Sequence, residues 1–269
     1  MSYEINDTEF KRLSRLLYDI AGITLTDAKK MLLTGRLSKR LSALGMGTYT
    51  QYFKYVTDSA HTDELQFMVD LLTTNETYFF RESQHFDFLK QIVPPAIRQG
   101  QTFRVWSAAA SIGAEAYTIA MILADKLGEG GAWEILGTDI SNSVLEQARR
   151  GHYRMTEADK IPAAYLKKYC LKGRGEQEGT FLIDRKIRQH VSFEQLNLNV
   201  EKMKKVGDFD VIFLRNVLIY FDIQTKQRVV ANLIPCMKNG GYFIVGHSET
   251  LNGITDDLAQ VKPTVYRRP

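Results

Sequence analysis

The sequence predicts an α/β protein. A mostly parallel sheet, covered on both faces, follows a small all-helical domain and carries a small antiparallel insertion. Three observations predict it. From Phe103 onward, apolar runs of strand length alternate with stretches of helical spacing. Residues 104–117 (Arg-Val-Trp-Ser-Ala-Ala-Ala-Ser-Ile-Gly-Ala-Glu-Ala-Tyr) run from a buried strand through small residues, turn at Gly113 and continue as a helix. Before residue 75 the apolar spacing is helical and no strand alternation is seen.

In chain order, Phe10, Leu13, Leu16 and Leu17 place a first helix over residues 9–18. Asp27 can cap a second helix that runs to about Leu44 and stops at Gly45, with Leu33, Leu37, Leu41 and Leu44 as its apolar stripe. On one flank of that stripe fall Lys29, Arg36, Lys39 and Arg40, and no acidic residue occurs between Ala28 and Thr57. Tyr49, Tyr52, Phe53 and Val56 mark a third helix, and a fourth is expected over residues 63–72. Residues 1–74 therefore read as a helical domain and 75–102 as a linker, which includes a helix over 85–93 closed by Pro94-Pro95.

The remainder, 103–269, reads as the α/β domain. Its strands are expected at 104–110, 133–140, 190–193, 209–215, 242–246 and 264–268. Helices are expected at 115–127, at 142–150 behind a Ser141 cap, and at 224–237. Between Lys168 and Arg188, a glycine-rich loop joins two extended runs, so a small antiparallel subdomain is expected at about 165–192.

Composition narrows the classes. The chain is 44% hydrophobic and 25% charged, with a net charge of +4. No apolar run approaches the roughly 18 residues of a membrane span. The opening Ser2, Tyr3, Glu4 and Asn6 do not form a signal peptide. Cys170 and Cys236 stand apart with no clustered histidine, so neither a disulfide nor a metal is expected, and a cytoplasmic setting is.

The turn at 108–113 lets a ligand approach the backbone, although helix–strand packing favours the same small residues. Asp139, ending the second strand, suits two ribose hydroxyls; it would equally cap the helix at Ser141. The turn has neither G-x-G-x-x-G nor G-x-x-x-x-G-K-[ST], so a pyrophosphate has no cradle. A nucleoside without phosphates, of which S-adenosylmethionine is the common case, fits better than NAD or ATP. Arg215 and Asn216 end the strand expected beside the first one, at the sheet edge where such ligands bind. Asn197 and Leu198 reach the same edge, where an amide can read adenine and a leucine can pack on the ring. Turn chemistry is the alternative for each asparagine.

Four motifs carry a further resemblance: Asn75-Glu-Thr77-Tyr-Phe-Phe-Arg81-Glu82, residues 104–117, Arg215-Asn216-Val-Leu-Ile-Tyr220-Phe-Asp222 and Gly246-His247-Ser248-Glu249. In order and spacing they resemble the CheR family, chemotaxis methyltransferases that methylate receptor glutamates. The resemblance implies a Rossmann-like S-adenosylmethionine-dependent methyltransferase sheet, S-adenosylhomocysteine as product and no metal. It implies that Asn75, Thr77 and Arg81 lie over the cofactor and that Ala109 in the turn contacts it. Glu115 would hold its methionine end, Asp139 the ribose, Asn197 and Leu198 the adenine, and Arg215 and Asn216 the remaining flank. Arg81 and Tyr220 are implied to position the reaction. The chain departs from the family at Ile112, Ala114 and Ala116, where Thr, Glu and Pro are usual, and retains Glu115.

A solvated glutamate has a pKa of about 4.3 and is already an anion at neutral pH, so methyl transfer to it needs no general base. This agrees with the lack of a Ser-His-Asp or Cys-His set, and His247 reads as structural. The implied partners are the acidic methylation helices of a receptor, met by Lys29, Arg36, Lys39 and Arg40, with a solvated face as the plain alternative. A receptor's C-terminal tether peptide is implied at Gly173, Gly175 and Gly179, although Leu182 and Asp184 stand where family members carry arginines. Neither nucleic acid nor membrane insertion is expected, and the chain is expected to be a monomer. Two other classes stay open: an S-adenosylmethionine enzyme acting on RNA or a small molecule, and a non-catalytic cofactor-binding module.

Overall fold

The computed structural model describes residues 3–93 and 101–269; the expected Pro94-Pro95 stop lies outside them. Helix α1 (Asp7–Ala21) begins earlier than its apolar spacing indicates, because Asn6 and Glu9 form a reciprocal capping box. The other oxygen of Glu9 accepts from the backbone and hydroxyl of Thr50, at 2.9 and 2.8 Å, tying α1 to α3 (Tyr49–Val56). Asp27 opens a short 3-10 turn rather than capping α2 (Lys30–Ala43). Leu33, Leu37 and Leu41 of α2 are fully buried, as the stripe predicts. Helix α4 (Thr62–Leu72) completes this unit.

Two of the four cations on the basic flank of α2 have partners inside the helical unit. Arg40 forms a bidentate pair with the buried carboxylate of Glu64, which also accepts the Tyr52 hydroxyl at 2.8 Å. Arg36 donates to the carbonyls of Leu71, Leu72 and Thr73 at 3.2, 3.0 and 2.9 Å, closing the C-terminus of α4. Both cations are engaged within the helical unit, while Lys29 and Lys39 are exposed. The acidic partner that residues 28–57 lack comes from α4.

After α5 (Ser83–Ile92), the chain enters a seven-stranded sheet. Its strands are β1 (Phe103–Ser107), β2 (Trp133–Asp139), β6 (Val191–Gln195), β7 (Phe209–Leu214), β8 (Met237–Val245), β9 (Ala259–Lys262) and β10 (Val265–Arg267). The order is β6-β2-β1-β7-β8-β10-β9, parallel through β8 and antiparallel beyond it. Strand β9 is four residues long and all four are exposed, so no buried apolar run marks it in the sequence. The chain leaves β1 toward β2 on one side and returns as β7 on the other, which opens a crevice beyond their carboxyl ends.

Helix α6 (Ala114–Leu127) is buried on every side from Ala114 to Ala124, between the sheet, α5 and a small second sheet. Helix α7 (Asn142–Arg150) follows β2, and α10 (Ile223–Leu233) covers the opposite face of the sheet. The small sheet is antiparallel in the order β3-β5-β4, from β3 (His152–Arg154), β4 (Cys170–Lys172) and β5 (Thr180–Ile183), between which α8 (Ala163–Tyr169) lies; α9 (Arg185–Arg188) follows. It thus starts earlier than residue 165, and β6 belongs to the main sheet. Phe79 of the linker meets Tyr153 edge-on at 5.0 Å and Phe181 at 5.8 Å, so this small sheet grips the linker.

Ser141 does not cap α7 through its side chain, which pairs with Ser143 Oγ at 3.1 Å. The cap is Asp70 of α4, which accepts from the backbone of Asn142 and Ser143 at 3.2 and 3.1 Å. The helical unit is thereby fastened beside β2. Glu64→Ala should destabilise the protein by about 2–3 kcal/mol in urea unfolding, because it strands Arg40 and Tyr52. Lys39→Ala should change stability by less than about 0.5 kcal/mol.

Candidate active site

The crevice beyond β1 and β7 is a cleft of about 920 Å³, counting its open mouth. The ten residues the sequence proposes for a cofactor (Asn75, Thr77, Arg81, Ala109, Glu115, Asp139, Asn197, Leu198, Arg215 and Asn216) all line it, as does Tyr220.

The floor is the turn after β1. Ser111 takes a left-handed φ of 49° and donates its backbone N–H to Asp139 at 2.9 Å. The other Asp139 oxygen accepts from Ser141 at 3.0 Å. Asp139 lines the cleft, and burial raises its pKa against these N–H donors. Ala114 and Ala116 are fully buried in the core around α6, and the Ile112 carbonyl accepts the Tyr153 hydroxyl at 2.6 Å. The departures from the family pattern therefore fall on packing positions, whereas Ser111 and Glu115 line the cleft.

One end of the cleft is ionic. Glu115 accepts from Ser107 Oγ at 2.7 Å and from Arg215 Nη1 at 2.8 Å. Arg215 Nη2 donates to Glu82 at 3.0 Å and to the Arg81 carbonyl. The Arg215 side chain is 2% exposed and lies over the Phe86 ring, and its Nε is buried without a hydrogen-bond partner. Asn216, at φ 58°, donates its side-chain amide to Glu82 at 3.0 Å and its backbone N–H to Glu249 at 2.8 Å. Burial alone would raise the Glu82 pKa, but Asn216 and Arg215 outweigh it and hold the carboxyl at about 2.

The other end is apolar, lined by Ile140, Leu196 and Leu198 of the α/β domain and by Ala21 and Ile23 of the helical one. Asn197 lines this end with its side chain already engaged. Its amide donates to the Ile20 carbonyl at 2.7 Å and its oxygen accepts from Asn199 N–H at 2.9 Å, so the side chain ties down the end of α1. An adenine edge would meet the chain around Asn197 and the Leu198 side chain. Ile23 was not visible as a site residue, since its place depends on a bridge to Phe221 across the fold. At the mouth, half-buried Arg81 donates to the Glu76 carbonyl at 2.6 Å, beside the Tyr78 ring. Tyr220 is also half-buried, its carbonyl held by Thr24 N–H at 2.9 Å.

Gly173, Gly175 and Gly179 lie away from the cleft, in the β4–β5 connection, where Gly175 and Gly179 take φ 59° and 80°. Leu182 sits on the central strand β5, and Asp184 caps α9 by accepting from Lys186 at 2.9 Å. His247 is outside the cleft lining; its backbone donates to Glu82 and its ring meets His85 at 4.8 Å. Glu82, His85 and His247 form the one metal-capable trio found among the described residues. The Glu82 oxygen nearest His85 already accepts from Arg215 and His247, and the Arg215 charge opposes a cation there.

The donor set fits S-adenosylmethionine. Glu115 suits an amino-acid end, Asp139 a ribose, and the Leu198–Ile23 end an adenine.

Burial pushes His85 down to about 4, helped by Arg215 and His247 and opposed by Glu82. The unfolded chain takes up this proton near 6.5, so stability present above that pH is lost as pH falls toward about 4. Thermal melting should therefore fall less steeply across this window in His85→Gln than in the parent; equal slopes would contradict the assignment.

Comparison with known proteins bears on the whole chain. Residues 8–73 match the family described as CheR methyltransferase, all-alpha domain, and residues 75–267 match CheR methyltransferase, SAM binding domain. The chemotaxis protein methyltransferase of Escherichia coli K12 is 39% identical over 263 residues, 97% of this chain and 91% of that protein. Its Salmonella typhimurium counterpart is 38% identical over 97% of this chain and 90% of that protein. The Borreliella burgdorferi protein of the same description is 36% identical over 100% of this chain and 96% of that one. Two family matches in register with the two structural units, and relatives this similar over nearly their full length, show that the chain belongs to the CheR methyltransferase family.

Proposed function

We propose that the protein is an S-adenosylmethionine-dependent protein-glutamate O-methyltransferase that acts in the cytoplasm on the cytoplasmic part of chemoreceptors. The observation that carries this reading is the side-chain chemistry of the cleft. Among the described residues lining it there is no histidine, lysine or cysteine, and two of its carboxylates, Glu115 and Asp139, are already held by donors. A site without a poised base suits an acceptor that arrives as an anion, and a glutamate does so at neutral pH.

The cofactor, when bound, supplies an electrophilic methyl group on a sulfonium. The protein's task is to orient and to exclude water. Arg81 at the mouth can hold an incoming carboxylate by two hydrogen bonds, and the Tyr220 hydroxyl can fix one of its oxygens. Lys29 and Lys39 are the exposed cations of the α2 flank that could meet an acidic receptor helix; the RNA reading loses support with Arg36 and Arg40 engaged internally. For a tether peptide, the outer strand β4 with its half-exposed Leu171 supports strand addition. The protein is taken to act as a monomer.

Labelled methyl transferred to receptor-containing membranes should be released as methanol by mild base; base-stable label would indicate another acceptor. Arg81→Ala and Tyr220→Phe should each slow transfer by up to ~100-fold while calorimetric cofactor binding is retained; unchanged transfer would remove their positioning roles. Receptor C-terminal peptides with an aromatic end should give heat on titration, and Leu171→Asp should abolish it; no heat with the parent protein would exclude strand addition at β4.

A further inference from the structure

We infer that Glu82 is a positioning residue for the methionine end of the cofactor and for Arg81, acting through Arg215. The inference rests on the S-adenosylmethionine reading above. Glu82 does not line the cleft; it stands behind Arg215. Three donors converge on its carboxylate: Arg215 Nη2 at 3.0 Å, the Asn216 amide at 3.0 Å and the backbone of His247 at 3.1 Å. It reaches them from a left-handed backbone, φ 56°, two residues after Phe80 at φ 57°. Such conformations in non-glycine residues persist when the surrounding contacts over-determine them.

The consequence lies in how the guanidinium is divided. Nη1 serves Glu115 while Nη2 serves Glu82 and the Arg81 carbonyl. A guanidinium facing a single carboxylate prefers a two-pronged pair. Without the charge of Glu82, Arg215 would turn both prongs onto Glu115. That would occupy the lone pairs an ammonium group needs, and it would release the Arg81 carbonyl. With Glu82 in place, each Glu115 oxygen has one donor, from Ser107 or from Arg215, and one lone pair to offer. One carboxylate outside the cleft thus sets a carboxylate inside it and the backbone of the arginine at its mouth.

The test is calorimetric binding of S-adenosylhomocysteine and S-adenosylmethionine to the full chain, which needs no acceptor. Glu82→Gln keeps the shape and removes the charge. We expect the dissociation constants to rise ~10-fold and, because the Arg81 backbone is released, the KM for the acceptor to rise and kcat to fall. In an Arg215→Gln background, Glu82→Gln should add nothing, since the path to the cofactor is already cut. Parental binding by folded Glu82→Gln, or additive losses in the double variant, would overturn the inference and leave the function standing. Should Glu82→Gln fail to fold, Glu82→Asp keeps the charge one methylene short. A smaller loss in the same direction is then expected, and parental affinity would overturn the inference. Failure of the parent to bind either nucleoside would overturn both this inference and the functional reading.

Discussion

The buried guanidinium of Arg215 is the constraint on which the site depends. It lies at the carboxyl end of β7, between two carboxylates that come from different parts of the chain. Glu115 belongs to the first turn of α6, and Glu82 to the linker that enters α5. A charge this far from solvent is tolerable only when paired and hydrogen-bonded. The pairing therefore joins three segments that share no local sequence. Phe86 beneath the guanidinium and the Asn216 amide beside it complete a small polar core.

The helical unit is a wall of the cleft as well as a separate core. Asn197 and Asn199 donate to the last carbonyls of α1, so the loop after β6 caps a helix from the other unit. In return, Asp70 of α4 caps α7 beside β2. Tyr18 donates to Asp222 at 2.7 Å, and Ile23 bridges to Phe221. These ties close the apolar end over Leu198. Asn197, proposed to read a ligand, helps to hold the wall that encloses it.

Much of the molecule is legible from local patterns. Period-3.6 stripes located α1 to α4, and apolar runs located the parallel strands, because burial of one face or of both faces leaves a periodic mark. The turn of residues 108–113 declared itself through its small side chains; Asn75, Thr77, Arg81, Ala109 and Glu115 were implied by the family resemblance alone, and all ten proposed cofactor residues line one cleft. Strand β9 left no mark because both its faces are exposed. The 27–29 turn and the start of α1 differed because caps act through single side chains that periodicity does not weigh. The pairing of Arg40 on the basic flank of α2 was not legible because the carboxylate that answers it is supplied by a helix more than twenty residues away.

By itself the sequence determined most of the helices and the parallel strands, the sheet edge at which a phosphate-free nucleoside would bind, and the residue types offered there. Those follow from local periodicity and from the side chains a turn permits. Only the tertiary structure decided which polar groups are free for a ligand. Asn197, Arg36 and Arg40 have the chemistry to bind a partner, yet each is engaged by a backbone or carboxylate distant in sequence. Glu82, with no role legible in its motif, became the anchor of Arg215. A hydrogen-bonding group can satisfy only as many partners as its lone pairs and protons allow, and which partners come within 3 Å is set by packing rather than by order along the chain.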